Sequence, residues 1–249
     1  VKMEAGKIKL IALDMDGTLL KQDHSVSEEN RKAIKKAQQK GVTVMVSTGR
    51  PLVYCKEIVE SLELASYLIT VNGSEIWDAD LNLIERTMID ISHIEQMYEL
   101  AQKHDTHFWS STVGGVWNKK TEFPKALDEH EWLKFGFDIE DDAIRESIRE
   151  ELSLNKELEL SNSSETNIEV NAAGINKAAA IRKVCDRLGF TMDEVMAVGD
   201  SLNDLAMINE AGIGVAMGNA QAAVKKAADW VTESNEEDGV AKAIQKFVL

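Results

Sequence analysis

Two carboxylates one residue apart, Asp14 and Asp16, stand where a short apolar run ends. Like charges that close cannot both ionise cheaply, so a divalent cation is their natural partner. Hard oxygen ligands of this kind select magnesium, which keeps several waters and often bridges to phosphate. Gly17 and Thr18 then turn the chain, and a plain Asp-Gly turn is the alternative account. Three further stretches fall where a phosphate site would need them. Ser47-Thr48-Gly49-Arg50 closes a second apolar run, and a hydroxyl, a glycine backbone and a helix start at Pro51 make an anion site. Capping by Ser47 or Thr48 is its plainer reading. Lys177 opens a later helix and offers a point charge for a carboxylate and a phosphate, although most lysines so placed are merely solvated. Gly199-Asp200-Ser201-Leu202-Asn203-Asp204 sets Asp200 and Asp204 one turn apart with Asn203 beside them. Capping explains one of these polar groups, not all three at one sheet end.

The elements that must position these groups follow from periodicity. Residues 8–13, broken only by Lys9, read as a buried strand, as do 42–47 and 67–71. Helices are expected over 27–40, capped by Ser27 and ended by Gly41, and from Pro51 to about residue 62. Asn72-Gly73 is the strongest hairpin signal, with 74–77 pairing back and a further strand over 83–88. From residue 91 the rhythm changes. Helices are expected over 91–103, 124–135 and 141–152, and strands over 107–112, 116–119, 158–161 and 166–171. The strand–helix alternation resumes with a helix over 176–188 and strands at 195–198, 213–216 and 230–231. Helices over 201–209, 220–227 and 238–247 complete it. The division is therefore 1–87 and 173–249 for two halves of one α/β domain, with 88–172 inserted between them.

Those motifs, taken in order, resemble the four motifs of the haloacid dehalogenase (HAD) superfamily of phosphohydrolases. GVAMGNA, SNEEDGVAKAI and the insertion point after the NG hairpin are similar to its Cof-like subfamily with a type IIB cap. The resemblance implies a doubly wound, parallel-sheet, Rossmann-like core with an inserted α+β cap. It implies magnesium-dependent hydrolysis of a small phosphorylated metabolite: a sugar phosphate, a nucleotide or a flavin-pathway intermediate. In that reading Asp14 is the nucleophile and Asp16 the general acid and base. Asp14, Asp200 and the backbone carbonyl of Asp16 hold the metal. Backbone N–H groups of Met15 and Gly49, with Thr48, Lys177 and Asn203, clamp the phosphate, and Arg50, Ser201 and Asp204 support them. The third motif departs from the pattern, since Ala178 follows Lys177 where Gly is frequent. A phosphomutase would use the same core. A phospho-receiver module also pairs acidic residues with a lysine, but the acidic motif on the first strand and the large insertion disfavour it.

Composition limits the alternatives. The 249 residues are 44% hydrophobic and 29% charged, as in ordinary globular proteins. A net charge of -15 disfavours nucleic acid and leaves room for a small anionic substrate in a locally positive site. The opening VKMEAGKIKL lacks the apolar core of a signal peptide, and no stretch approaches the roughly 18 apolar residues of a membrane span. Cys55 and Cys185 show no metal-ligand spacing and read as reduced thiols, so a cytoplasmic location is expected. No membrane association and no obligate protein partner is implied. The five histidines show no ligand spacing either.

Residues 108–137 hold three of the five tryptophans and four of the six phenylalanines. A small domain needs such side chains for its own core. Trp109 and Trp117, which flank Gly114-Gly115, are the candidates for a second role in excluding water and selecting the leaving group.

Overall fold

The computed structural model describes residues 8–249, and residues 1–7, most of the opening segment, lie outside the described residues. The first half runs β1 (Leu10–Leu13), α1 (Glu28–Gln39), β2 (Thr43–Ser47), α2 (Lys56–Ser61), β3 (Leu68–Thr70), β4 (Glu75–Trp77) and β5 (Leu83–Arg86). The middle runs α3 (Ile91–Lys103), β6 (His107–Thr112), β7 (Gly115–Asn118), β8 (Trp132–Asp138), α4 (Asp142–Ser153), β9 (Leu158–Ser161) and β10 (Asn167–Ala172). The last part runs α5 (Lys177–Leu188), β11 (Val195–Gly199), α6 (Leu205–Glu210), β12 (Ile213–Ala216), α7 (Ala222–Ala227), β13 (Trp230–Val231) and α8 (Gly239–Phe247).

The larger sheet has the order β13-β12-β11-β1-β2-β3-β4-β5, and β4 alone runs antiparallel to its two neighbours, so β5 regains the common direction. Its central strands, β12, β11, β1, β2 and β3, are buried on both faces, whereas the edge strands β5 and β13 are partly exposed. On β1, Ile11 and Leu13 join a cluster with Ile34 of α1 and Ile244 of α8, while Leu10 and Ala12 join another with Ile181 and Val184 of α5. This alternation is why the strand reads as a continuous apolar run. The first half builds outward from β1 in one direction and the last part in the other. Strand order therefore reverses between β1 and β11, where the carboxyl ends of an open α/β sheet bind ligands.

The smaller, antiparallel sheet has the order β7-β6-β8-β10-β9. One face carries Phe108, Phe135, Phe137, Ile168 and Val170 against Ile94 and Met97 of α3 and Ile148 and Leu152 of α4. All five strands fall between residues 107 and 172. The fold is thus an α/β core with an inserted α+β cap.

Four local expectations are corrected. Residues 124–135 do not form a helix: a 3₁₀ turn at Leu127–Glu129 leads into β8, the middle strand of the cap sheet. Phe135 and Phe137 point to the cap core while Lys134 lies on the other face, a period of two that outweighs the helix start suggested by Pro124. The segment after Pro51 opens as a 3₁₀ turn, Leu52–Tyr54, so no α-helix begins directly behind Gly49. Leu202–Asp204 is likewise a 3₁₀ turn ahead of α6. The NG turn is longer than a two-residue hairpin. Thr70 pairs with Glu75, and Val71, Asn72 and Gly73 all have positive φ, at 50°, 59° and 108°. Among the described residues, no helix is long and apolar enough to cross a membrane.

Candidate active site

The carboxyl ends of β1 and β11, with the first turn of α5, bring four charges together. Asp14 follows β1 directly, and its N–H donates to Val198 O at 3.0 Å, continuing the sheet ladder. Lys177 is the first residue of α5, which Asn176 caps by accepting from Ala179 N. The Lys177 side chain is fully buried, with Nζ 2.5 Å from Asp14 Oδ1 and 2.6 Å from Asp204 Oδ1. Ala178 is fully buried in a helical position, so the departure from Gly costs this helix nothing. Asp204 also accepts from the N–H groups of Asp200 and Ser201 at 2.9 and 3.1 Å. It therefore fixes both the ammonium and the loop that carries Asp200. Thr18 Oγ1 and Ser201 Oγ donate to the two oxygens of Asp200, at 3.1 and 2.9 Å. Gly17 has φ +76°, and a Cβ there would lie 2.6 Å from Asp200 Oδ2, so only glycine admits that carboxylate.

The electrostatics of this cluster are unbalanced. Burial and the Asp204 charge push Asp14 well above the usual carboxylate range, against the pull of Lys177. Burial and Asp204 raise Asp200 to about 6. Burial alone would lower Lys177, but Asp14 and Asp204 hold it above its ordinary value. One ammonium faces three carboxylates, and oxygens of Asp14, Asp200 and Asp204 lie within 4.8 Å of one another. An all-oxygen donor set with two uncompensated negative charges suits a hard divalent cation.

The end of β2 forms the next wall. Ser47 and Thr48 are fully buried, and Thr48 Oγ1 accepts from Arg50 N at 3.1 Å. Arg50 holds Asp16 through two bonds, Nε to Oδ2 at 2.7 Å and Nη2 to Oδ1 at 2.5 Å. That hydrogen bonding raises the Arg50 guanidinium above its ordinary value. The planar fork fixes the Asp16 carboxylate at the mouth of the site.

The cap closes over these groups. Its turn at Asn162 and Ser163 accepts from Asn203 N at 2.9 Å and Ser201 Oγ at 3.1 Å. Lys134 of β8 donates to Gly49 O at 2.9 Å and to Glu169 Oε1 of β10 at 3.0 Å. Glu169 Oε2 accepts from Asn72 Nδ2 at 2.7 Å, and Asn203 Nδ2 donates to Asn72 Oδ1 at 3.3 Å. Burial would raise Glu169, but Lys134 and the bonds from Asn72 and Ser163 hold it below its ordinary value. Between cap and core lies a cavity of about 270 Å³ walled by Asp14, Asp16, Gly49, Arg50, Asp200, Ser201 and Asn203 below and Trp109, Ser111, Val116, Lys134 and Glu169 above. Met15, Thr48, Lys177 and Asp204 are fully buried behind its floor. A larger depression, about 860 Å³, lies on the outer side of the cap, beside Glu95, Glu99, Glu122 and Asp128. Its acidic wall repels phosphate, and no motif residue reaches it.

Trp109 and Trp117 separate. Trp109 and Ser111 line the cavity two residues apart on β6, and Ser111 pairs with Val116 of β7, which lines it too. Trp117 lies one residue on, away from the cavity. It packs against the cap core with its ring 5.2 Å from that of His130. The motifs do not point to the polar floor of the cap, Ser111, Lys134, Ser163, Glu169 and Asn171, nor to the side chain of Asn72. A lysine and a glutamate each inside an alternating apolar run, WLKFGFD and NIEVNA, were the available signals.

A family model described as haloacid dehalogenase-like hydrolase matches residues 11–244. The chain belongs to this family. It is 62% identical over 249 residues to the 5-amino-6-(5-phospho-D-ribitylamino)uracil phosphatase YcsE of Bacillus subtilis, covering 100% of this chain and 99% of that one. A haloacid dehalogenase-like hydrolase from B. subtilis superposes with a TM-score of 0.88 at 27% identity, covering 97% of this chain and 100% of that one. A subclass IIB sugar phosphatase of the superfamily gives 0.82 at 26% identity, over 96% and 98%. The chain is a phosphatase of the Cof-like HAD type, and the non-enzymatic receiver reading ends here.

Proposed function

We propose that this phosphatase is magnesium-dependent, works through an aspartyl-phosphate on Asp14 and takes 5-amino-6-(5-phospho-D-ribitylamino)uracil as its physiological substrate. The observation that carries the chemistry is the buried Asp14–Lys177–Asp204–Asp200 cluster at the strand-order reversal, beneath a closed polar cap. The substrate rests on the activity that the 62% identical relative's name gives it.

An Asp14 carboxylate oxygen attacks phosphorus in line with the leaving oxygen, and the phosphorus–oxygen bond to the leaving group breaks. The Asp16 carboxyl gives its proton to the departing alkoxide. It then takes a proton from the water that attacks phosphorus in the acyl-phosphate, and Asp14 leaves as a carboxylate. Lys177 and the N–H groups of Met15 and Gly49, with Thr48 and Asn203, stabilise the phosphoryl oxygens. Asp204 and Ser201 hold Lys177 and Asp200 in place, and Arg50 holds Asp16. Asp14, Asp200 and the Asp16 carbonyl would hold Mg²⁺, which supplies charge neutralisation for carboxylate and phosphate. Two buried free thiols, raised by burial to about 12 at Cys55 and about 11 at Cys185, accord with a reducing cytoplasm.

The test is phosphate release from this substrate with and without Mg²⁺, in wild type and Asp14→Asn. Mg²⁺-dependent release by wild type alone is expected. Substantial release by pure, folded Asp14→Asn protein would remove Asp14 from the chemistry.

A further inference from the structure

The cap face above Asp14 carries one aromatic ring, and a single glycine makes room for it. A Cβ built on Gly136 would lie 2.3 Å from Cε2, 2.3 Å from Cζ2 and 2.8 Å from Cδ2 of Trp109. Three contiguous atoms of the six-membered ring at such similar distances put that point over the ring face. An approach in the ring plane would leave Cδ2 much farther away. Gly136 and Trp109 are paired across β8 and β6, so the indole lies flat on the backbone of the neighbouring strand. Any side chain at Gly136 would stand where the ring lies.

This tryptophan does not belong to the cap core. Phe108, Phe123, Trp132, Phe135 and Phe137 form that core and contact one another ring to ring. Among the described residues, Trp109 shares no ring contact with them and lines the cavity instead. The indole N–H of Trp77 and of Trp132 each has a protein acceptor at 2.9 Å. That of Trp109 has none among the described residues. A half-buried indole, backed by a backbone and free at its N–H, is a preformed surface for another flat ring.

We propose that Trp109, seated on Gly136, is the platform on which a planar unsaturated ring at the far end of the leaving group stacks. The site thereby selects phosphomonoesters that carry a flat heterocycle over open-chain ones. Ser111, Lys134 and Glu169 beside the indole offer a polar rim for a linking polyol. This rests on the phosphatase reading of the same cavity and adds the residues that read the ring.

The experiment compares kcat/KM for 5-amino-6-(5-phospho-D-ribitylamino)uracil with that for D-ribitol 5-phosphate, which shares the phosphorylated polyol and lacks the ring. Wild type favours the first. In Trp109→Ala that preference falls about tenfold, the scale of one lost stacking contact, because the larger loss falls on the ring-bearing compound. Trp109→Phe retains most of the preference. Gly136→Ala, which displaces the ring without deleting it, behaves like Trp109→Ala. An unchanged ratio in Trp109→Ala, or an equal loss on both compounds, overturns the platform. Calorimetric binding of flavin mononucleotide, also a ribityl phosphate on a planar ring, to wild type and Trp109→Ala gives a readout independent of turnover. Equal affinities overturn the platform. Weaker binding by the variant, with neither compound hydrolysed by wild type, upholds it and sinks the substrate assignment instead.

Discussion

Replacing Lys134 by Met should cost far more stability than its place in a small cap domain suggests. Its ammonium sits 3.0 Å from Glu169, and the two side chains are 5% and 4% exposed. At an effective dielectric of about 20 their attraction is ~5 kcal/mol, and most of it offsets the desolvation of two buried ions. Lys134→Met removes the attraction and leaves the cost of burying Glu169, with only Asn72 and Ser163 still donating. The expected loss is about 3–5 kcal/mol at pH 7. Lys134→Met/Glu169→Gln should be less destabilised than the sum of the single variants by about 2–3 kcal/mol, because no charge is stranded. The pH dependence has a definite sign. In wild type the Glu169 carboxyl is held below 4.5, so its contribution is complete above that value and is lost as pH falls through the lowered one. Without Lys134, burial raises the same carboxyl, and the penalty is relieved as pH falls and Glu169 takes up a proton. The gap between wild type and Lys134→Met should therefore narrow from pH 7 toward pH 5. Urea unfolding of the four proteins at both pH values, followed by tryptophan fluorescence, is the assay. Additive single-variant losses below about 1 kcal/mol each, with no pH dependence, would refute the reasoning.

Lys177→Met removes the buried cation between Asp14 and Asp204, so turnover should fall by about 10³-fold together with the melting temperature. Adding Asp14→Asn should then recover stability without recovering turnover, as thermal melts and phosphate release would show. Gly17→Ala puts a methyl group against the Asp200 carboxylate and should weaken Mg²⁺ activation about tenfold or more in a metal titration. Gly114→Ala, whose Cβ meets nothing within 4 Å, is the neutral control. Asp16→Asn should lower kcat by about 10²–10⁴-fold with the cap closed as before, measured at steady state.

The core was legible because its signals are local. Asp14, Thr48 and Asp200 each follow a short apolar strand, and Lys177 opens a capped helix, so strand ends and caps place all four at one edge. The cap was less legible because its floor is made by alternation across several strands. Lys134 and Glu169 are costly in isolation and acceptable only as a pair, and nothing in WLKFGFD alone announces a partner on another strand. Pro124 and the charged residues after it suggested a helix where the chain makes a turn and a central strand. Trp117 shows the limit of proximity along the chain, since one residue's difference in register turned it to the other face. In the sequence Asn72 signals only a turn, but its side chain bridges Glu169 of the cap and Asn203 of the core.

The central claim is that phosphate passes through a covalent bond to Asp14. Its most direct measurement is an acid quench during turnover, followed by borohydride reduction, which converts an aspartyl-phosphate to homoserine. Mass spectrometry of the peptide carrying residues 11–20 then reads the modified position. Homoserine at position 14, in wild type and only with substrate present, is the result the account predicts. Unmodified Asp14 under conditions where substrate is saturating and turnover is proceeding, with the reduced residue found elsewhere, would contradict it.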